Sequence, residues 1–179
     1  MHRPFLAIAI AVAMLLAACD KPAPNAPVEP KAAPMPVVAS APELATSSER
    51  DGDVLVDEAI DQILGDHNEY KRVFEAFQQA VAAKDAAAVA ALVDYPFTAR
   101  IDGKKIGIAD AAAFVAQYDK IVTPPIARAI GGQAYRNLFV NEKGVMFGKG
   151  EAWINGVCKD GAACKTVDVR VVAIQSTTR

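Results

Sequence analysis

Seven prolines fall between Asp20 and Gly52 (Pro22, Pro24, Pro27, Pro30, Pro34, Pro36 and Pro42), and the stretch contains neither an aromatic residue nor a glycine before Gly52. Such a segment cannot bury enough apolar surface to offset the entropy of ordering its backbone. Folding is therefore expected only beyond it, in one domain over 53–179, with 19–52 acting as a linker. An alanine-proline chain favours the extended polyproline conformation at about 3.1 Å per residue, so a stiff linker would reach roughly 100 Å. A flexible coil of the same length would average nearer 30 Å.

What the linker is tied to is read from the residues before it. Arg3 supplies a short positive start, and Phe5 to Leu15 is an apolar run without a charge. A run of that length is too short for a membrane-spanning helix, which needs about 20 residues, but suits the core of a signal peptide over 1–18. Leu16-Ala17-Ala18-Cys19 then resembles the lipobox of bacterial lipoproteins. That resemblance implies cleavage before Cys19, a thioether from its sulfur to diacylglycerol, and acylation of the new amino group. Added acyl chains, at roughly 0.8 kcal/mol per buried CH2, turn a marginal anchor into a lasting one. The expected location is the bacterial envelope, facing the periplasm, with the lipid membrane as partner. Asp20 resembles an inner-membrane retention signal of enteric bacteria, while Lys21 departs from it and leaves the choice of membrane open.

The charge balance excludes one class of partner. Removing Arg3 with the first 18 residues leaves 18 basic and 21 acidic side chains, a formal charge of −3. There is then no basic surplus to hold nucleic acid. No cofactor is expected, since Gly148-Lys149-Gly150 lacks the strand-turn-helix setting of a phosphate loop.

Within the domain, apolar periodicity gives the order of elements. Val56, Ile60, Ile63 and Leu64 form a short helical stripe that Gly65 ends. Asp66 is a good N-cap for a helix carrying Tyr70, Val73, Phe74, Phe77 and Val81 on one face, and Asp85 caps a second over 86–93. Tyr95 to Asp102 alternates as a strand, Asp102-Gly103 marks a hairpin, and Lys105 to Ile108 returns. Asp110 caps a helix bearing Phe114, Val115, Tyr118, Ile121 and Val122, which Pro124 and Pro125 stop before a short helix to Ile130. Strands are expected at 135–140, at 145–155 as one long strand, and at 167–175. In the long strand Gly148, Gly150 and Ala152 would share one face, and Phe147, Lys149, Glu151 and Trp153 the other.

The fold class is α+β, with N-terminal helices packed on a curved, mostly antiparallel sheet. This order of elements resembles the nuclear transport factor 2-like (cystatin-like) cone over about residues 66–175. The strand Gly144 to Ile154 also resembles one found in uncharacterised secreted bacterial proteins of that superfamily. The superfamily includes enzymes such as ketosteroid isomerase, which place a carboxylate base and hydrogen-bond donors inside the cone. It also includes plain binding modules, so the fold alone leaves function open.

Candidate chemistry is sparse. With Cys19 lipidated, Cys158 and Cys164 flank a turn in an oxidising compartment and are expected to form a disulfide. His67 lies off the apolar stripe of its helix and is expected at the surface, and no metal site is expected. Tyr95, Tyr118, Asp119, Arg100, Asp102 and Glu151 are the residue types that could serve a cone enzyme, but none falls in a catalytic motif. The candidate pocket is Tyr95, Arg100, Tyr118, Glu151 and Trp153, with aromatic walls and Glu151 or Arg100 supplying polarity. The expected function is a non-catalytic binding domain on a lipid anchor, for a small molecule or an envelope protein. Two alternatives stand: an inhibitor or immunity-type lipoprotein that neutralises a hydrolase, and a small cone-fold enzyme of isomerase or dehydratase type.

Overall fold

Helix α1 (Glu43–Ile63) begins well inside the stretch read as linker. Its Gly52 explains how it is held. A Cβ there would come within 2.8 Å of the Arg136 Cβ, so the helix backbone lies directly on the segment carrying Arg136. One turn earlier Glu49 pairs with the Arg136 guanidinium at 3.1 Å. The computed structural model describes residues 43–161 and 164–177. The signal peptide, Cys19 and the linker up to residue 42 lie outside the described residues.

Val56 and Ile60 turn α1 inward, and Gly65, at φ +116°, ends it. Asp66 accepts the Asn68 amide and starts α2 (His67–Ala82), which buries Tyr70, Val73, Phe74, Phe77, Ala80 and Val81. Asp85 accepts the Ala88 amide and starts α3 (Ala86–Leu92). A hairpin follows, β1 (Phe97–Ile101) and β2 (Lys104–Ile108), with the expected alternation on β1: Phe97, Ala99 and Ile101 are buried. The helix expected after Asp110 is two pieces, α4 (Ala111–Ala116) and α5 (Tyr118–Ile121), broken at Gln117. Pro124 and Pro125 open α6 (Pro124–Gly131), where their missing N–H groups cost nothing.

The rest is an antiparallel meander, β3 (Phe139–Asn141), β4 (Gly144–Phe147), β5 (Ala152–Cys158) and β6 (Val167–Ile174), in the order β3-β4-β5-β6. Residues 135–137, expected as strand, form a 3-10 turn instead. The tyrosine there is the reason for the difference: Tyr135 packs edge-on against Phe74 and donates to Asp57 at 2.7 Å, anchoring α1 and α2 rather than a ladder. The architecture is α+β with antiparallel sheets. Two isolated parallel bridges, Val93 to Val171 and Arg100 to Gln175, tie the first half of the domain to β6.

The long strand expected over 145–155 is two strands. After Phe147 the chain turns, with the Gly150 and Glu151 amides both donating to the Phe147 carbonyl, at 3.0 and 3.1 Å. Gly148 and Gly150 hold φ values of +61° and +109°, which L side chains rarely adopt. The small residues therefore make a reversal and not a curved strand face. Phe147 moves to the buried face with Ala152 and Ile154, while Trp153 points the other way, between Met146 and Ala173.

The Cys158–Cys164 disulfide expected from the sequence is present, closing the β5–β6 hairpin with Cα atoms 4.8 Å apart. Chain-entropy arguments give such a short loop about 2.4 kcal/mol. Reduction should lower the melting temperature of the domain by several degrees without unfolding it at room temperature. A melting curve unmoved by reductant would contradict this.

Candidate functional site

Four separate pieces of chain meet at one surface cleft of about 200 Å3. The β1–β2 turn brings Asp102, the start of α6 brings Thr123, Pro125 and Ile126, the β4–β5 turn brings Glu151, and the residues after β6 bring Ser176 and Thr177. Backbone bonds fix this meeting. The Ser176 amide donates to the Arg100 carbonyl at 2.9 Å, and the Gln175 amide to the Glu151 carbonyl at 2.8 Å. The Gln175 side chain adds a bond to the Gly150 carbonyl, also at 2.9 Å.

The carboxylates are held by neutral donors. Glu151 accepts the Lys149 amide at 2.6 Å and the Thr177 hydroxyl. A Cβ on Gly148 would lie 2.3 Å from the same carboxylate, so the side chain can fold back over its own turn only because residue 148 is glycine. Burial pushes the Glu151 carboxyl up, but the bonds from Thr177, from Lys149 and from its own amide outweigh that and leave it below the ordinary value. It is therefore charged at neutral pH. Asp102, at φ +50° in the hairpin turn, exchanges bonds with Ser176: its amide donates to the hydroxyl at 3.3 Å, and the hydroxyl donates back to its carboxylate at 3.2 Å.

The five residues of the expected pocket do not converge. Glu151 lines the cleft. Arg100 contributes its carbonyl to the frame, while its side chain is exposed on β1. Trp153 is half-buried on the outer face of the meander. Tyr118 is core, edge-on to Phe114 at 6.3 Å. Tyr95 lines a different, more open groove of about 380 Å3 with Asp94, Lys159 and Arg170, and donates to the Ala90 carbonyl at 2.9 Å. Sequence reasoning missed Thr123, Ser176 and Thr177 as cleft residues. No periodicity marks them, because each enters from a loop or chain end. Asp102 was legible only as a turn residue.

A second polar group sits at the elbow between α1 and α2. His67 Nδ1 lies 2.8 Å from Asp61, and the His67 amide donates to the same carboxylate at 2.9 Å. With Asp66, these residues could bring three ligand atoms within 4.8 Å of one another. His67 is thus at the surface, as expected, but it is not merely solvated. No helix among the described residues is long and apolar enough to cross a membrane. No family model, curated protein or solved structure matches the chain.

The hydrogen bond that the His67 ring donates to Asp61, assisted by the charges of Asp57, Asp61 and Asp66, raises the His67 pKa above 6.5. A group raised in the folded state adds stability below its unfolded pKa and loses that contribution as pH climbs through the folded value. Titration of the His67 ring protons by NMR should give a pKa above 6.5, returning toward it in Asp61→Asn. An equal pKa in both proteins would contradict the pairing.

Proposed function

We propose that this chain is a lipid-anchored protein of the bacterial envelope whose domain is a nuclear transport factor 2-like cone used for binding, with no catalysis. The anchor reading rests on Leu16-Ala17-Ala18-Cys19 and the proline-rich stretch behind it. The cone reading is supported by the order of elements: helices, a hairpin, further helices, then an antiparallel meander, with Arg100 of β1 bridged to Gln175 just after its last strand.

One observation carries the choice of binding over catalysis. The interior is filled by Phe77, Phe114, Phe147, Ile121 and Ile154, each at 0% exposure, and tyrosines aside no polar or charged side chain is buried among the described residues. An isomerase-type site needs a carboxylate base and a proton donor in a dry interior. Here the only carboxylate–hydroxyl pair at the edge of the interior is Asp57 with Tyr135, among the described residues, and Asp102, Glu151 and three hydroxyls line an external cleft instead.

The second reading, an inhibitor or immunity-type lipoprotein, is favoured by the β5–β6 hairpin. The disulfide locks a tip that exposes Lys159, Asp160 and Lys165, with the Lys165 amide bonded to Asp160 at 2.8 Å. A rigid exposed loop loses little entropy on docking. Stoichiometric loss of a hydrolase's activity on adding the domain would favour this reading.

The anchor is tested first. Cys19→Ala should release the protein from membranes or leave its precursor uncut, while the wild-type protein fractionates with membranes and carries the mass of acyl chains. A soluble wild-type protein without that added mass would contradict the proposal.

A further inference from the structure

The cleft has an unbalanced charge. Asp102 and Glu151 line it together with the hydroxyl-bearing Thr123, Ser176 and Thr177, over a floor that includes Pro125 and Ile126. No lysine, arginine or histidine is among its lining residues. The ion pairs among the described residues involve Asp53, Asp61, Asp168, Glu49 and Glu69, never Asp102 or Glu151. The Lys149 ammonium is near enough to favour the charged form of Glu151, yet among the described residues it makes no ion pair with it. What bonds to these two carboxylates is neutral, backbone amides and two hydroxyls, which fix the oxygens in place, and neither carboxylate is in an ion pair among the described residues.

We propose that the cleft binds an organic cation: a primary ammonium or guanidinium on a short alkyl stem. The headgroup sits between Asp102 and Glu151, and the stem lies on Pro125. Charge-assisted bonds from such a group are about twice as strong as neutral ones, and a guanidinium can meet a carboxylate with two parallel donors. Size agrees with this. At about 200 Å3 the cleft is smaller than the ~300 Å3 lower limit of pockets for drug-sized ligands, and suits a group no larger than one long side chain. This inference rests on the reading of the domain as a binding module. The same headgroup is supplied by a free diamine or guanidino compound and by a lysine or arginine of a protein partner.

The test is titration of the mature protein with three probes: agmatine, N-acetyl-arginine methylamide and, as a neutral analogue of similar length, 1,4-butanediol. Binding is read from the amide resonances of Lys149, Glu151 and Thr177 and from the fluorescence of Trp153, the only tryptophan. Trp153 Nε1 would lie 3.6 Å from a Cβ on Gly150, so the ring reports on the turn that carries Glu151. At least one cationic probe should saturate, moving these three amides, and its affinity should fall as salt rises. Glu151→Gln and Asp102→Asn should each weaken it about tenfold, the effect of losing one charge-assisted contact, with the amide spectrum of the meander unchanged. Binding of agmatine alone would identify a free cation as the source, and binding of the arginine derivative alone a side chain of a partner. Equal binding of 1,4-butanediol at the same amides would overturn the cation assignment while leaving the cleft a binding site. Failure of both cationic probes to move these amides, or undiminished affinity in both variants, would also overturn it.

Discussion

The domain depends on an aromatic seam between α2 and the end of β4. Phe147 stacks on Phe74 with ring centroids 5.2 Å apart and receives Phe77 edge-on at 5.4 Å. Burying a phenylalanine contributes about 1.5–3 kcal/mol, and well-oriented ring pairs add roughly 0.5–1.5 kcal/mol. Three such residues therefore outweigh any of the exposed ion pairs, which are each worth about 1 kcal/mol or less. The seam holds the buried face of the meander against α2, whose apolar stripe buries Tyr70, Val73, Phe74, Phe77, Ala80 and Val81. Tyr70, one turn before Phe74, reinforces it by accepting the Gly156 amide at 2.9 Å.

The seam also shapes where polar groups can gather. Filling the interior with rings leaves it to apolar side chains and tyrosines among the described residues. It also makes Phe147 the last residue of a strand that must reverse, since its side chain is committed inward and its carbonyl receives two amides of the turn. The reversal carries Glu151 outward, where the segment after β6 meets it. One packing choice thus leads to both the closed interior and the polar external cleft.

Much of the fold was legible because local rules and burial agree in the first half. Asp66, Asp85 and Asp110 cap the helices their positions suggest, and the Phe97, Ala99 and Ile101 alternation is the buried face of β1. The sequence misleads where two periodicities coincide. Alternating small and large residues from Val145 to Ile154 read as one strand, because period 2 does not distinguish a strand face from a turn in which every second residue is a glycine with positive φ. Glu151 and Trp153 of the candidate pocket separate for the same reason, since the single register that puts them on one face is broken by the turn. Ser176 and Thr177 carried no signal at all, because their role comes from contacts with a turn and a hairpin distant in sequence.

The most direct measurement is native-state hydrogen exchange at the amides of Gly150 and Glu151, both bonded to the Phe147 carbonyl. If the seam fixes the turn and through it the cleft, these amides open only with the surrounding sheet, and their protection approaches that of Ile154 in β5. Exchange at the rate of an unfolded chain, with Ile154 still protected, would show that the turn moves independently of the seam and would contradict the account.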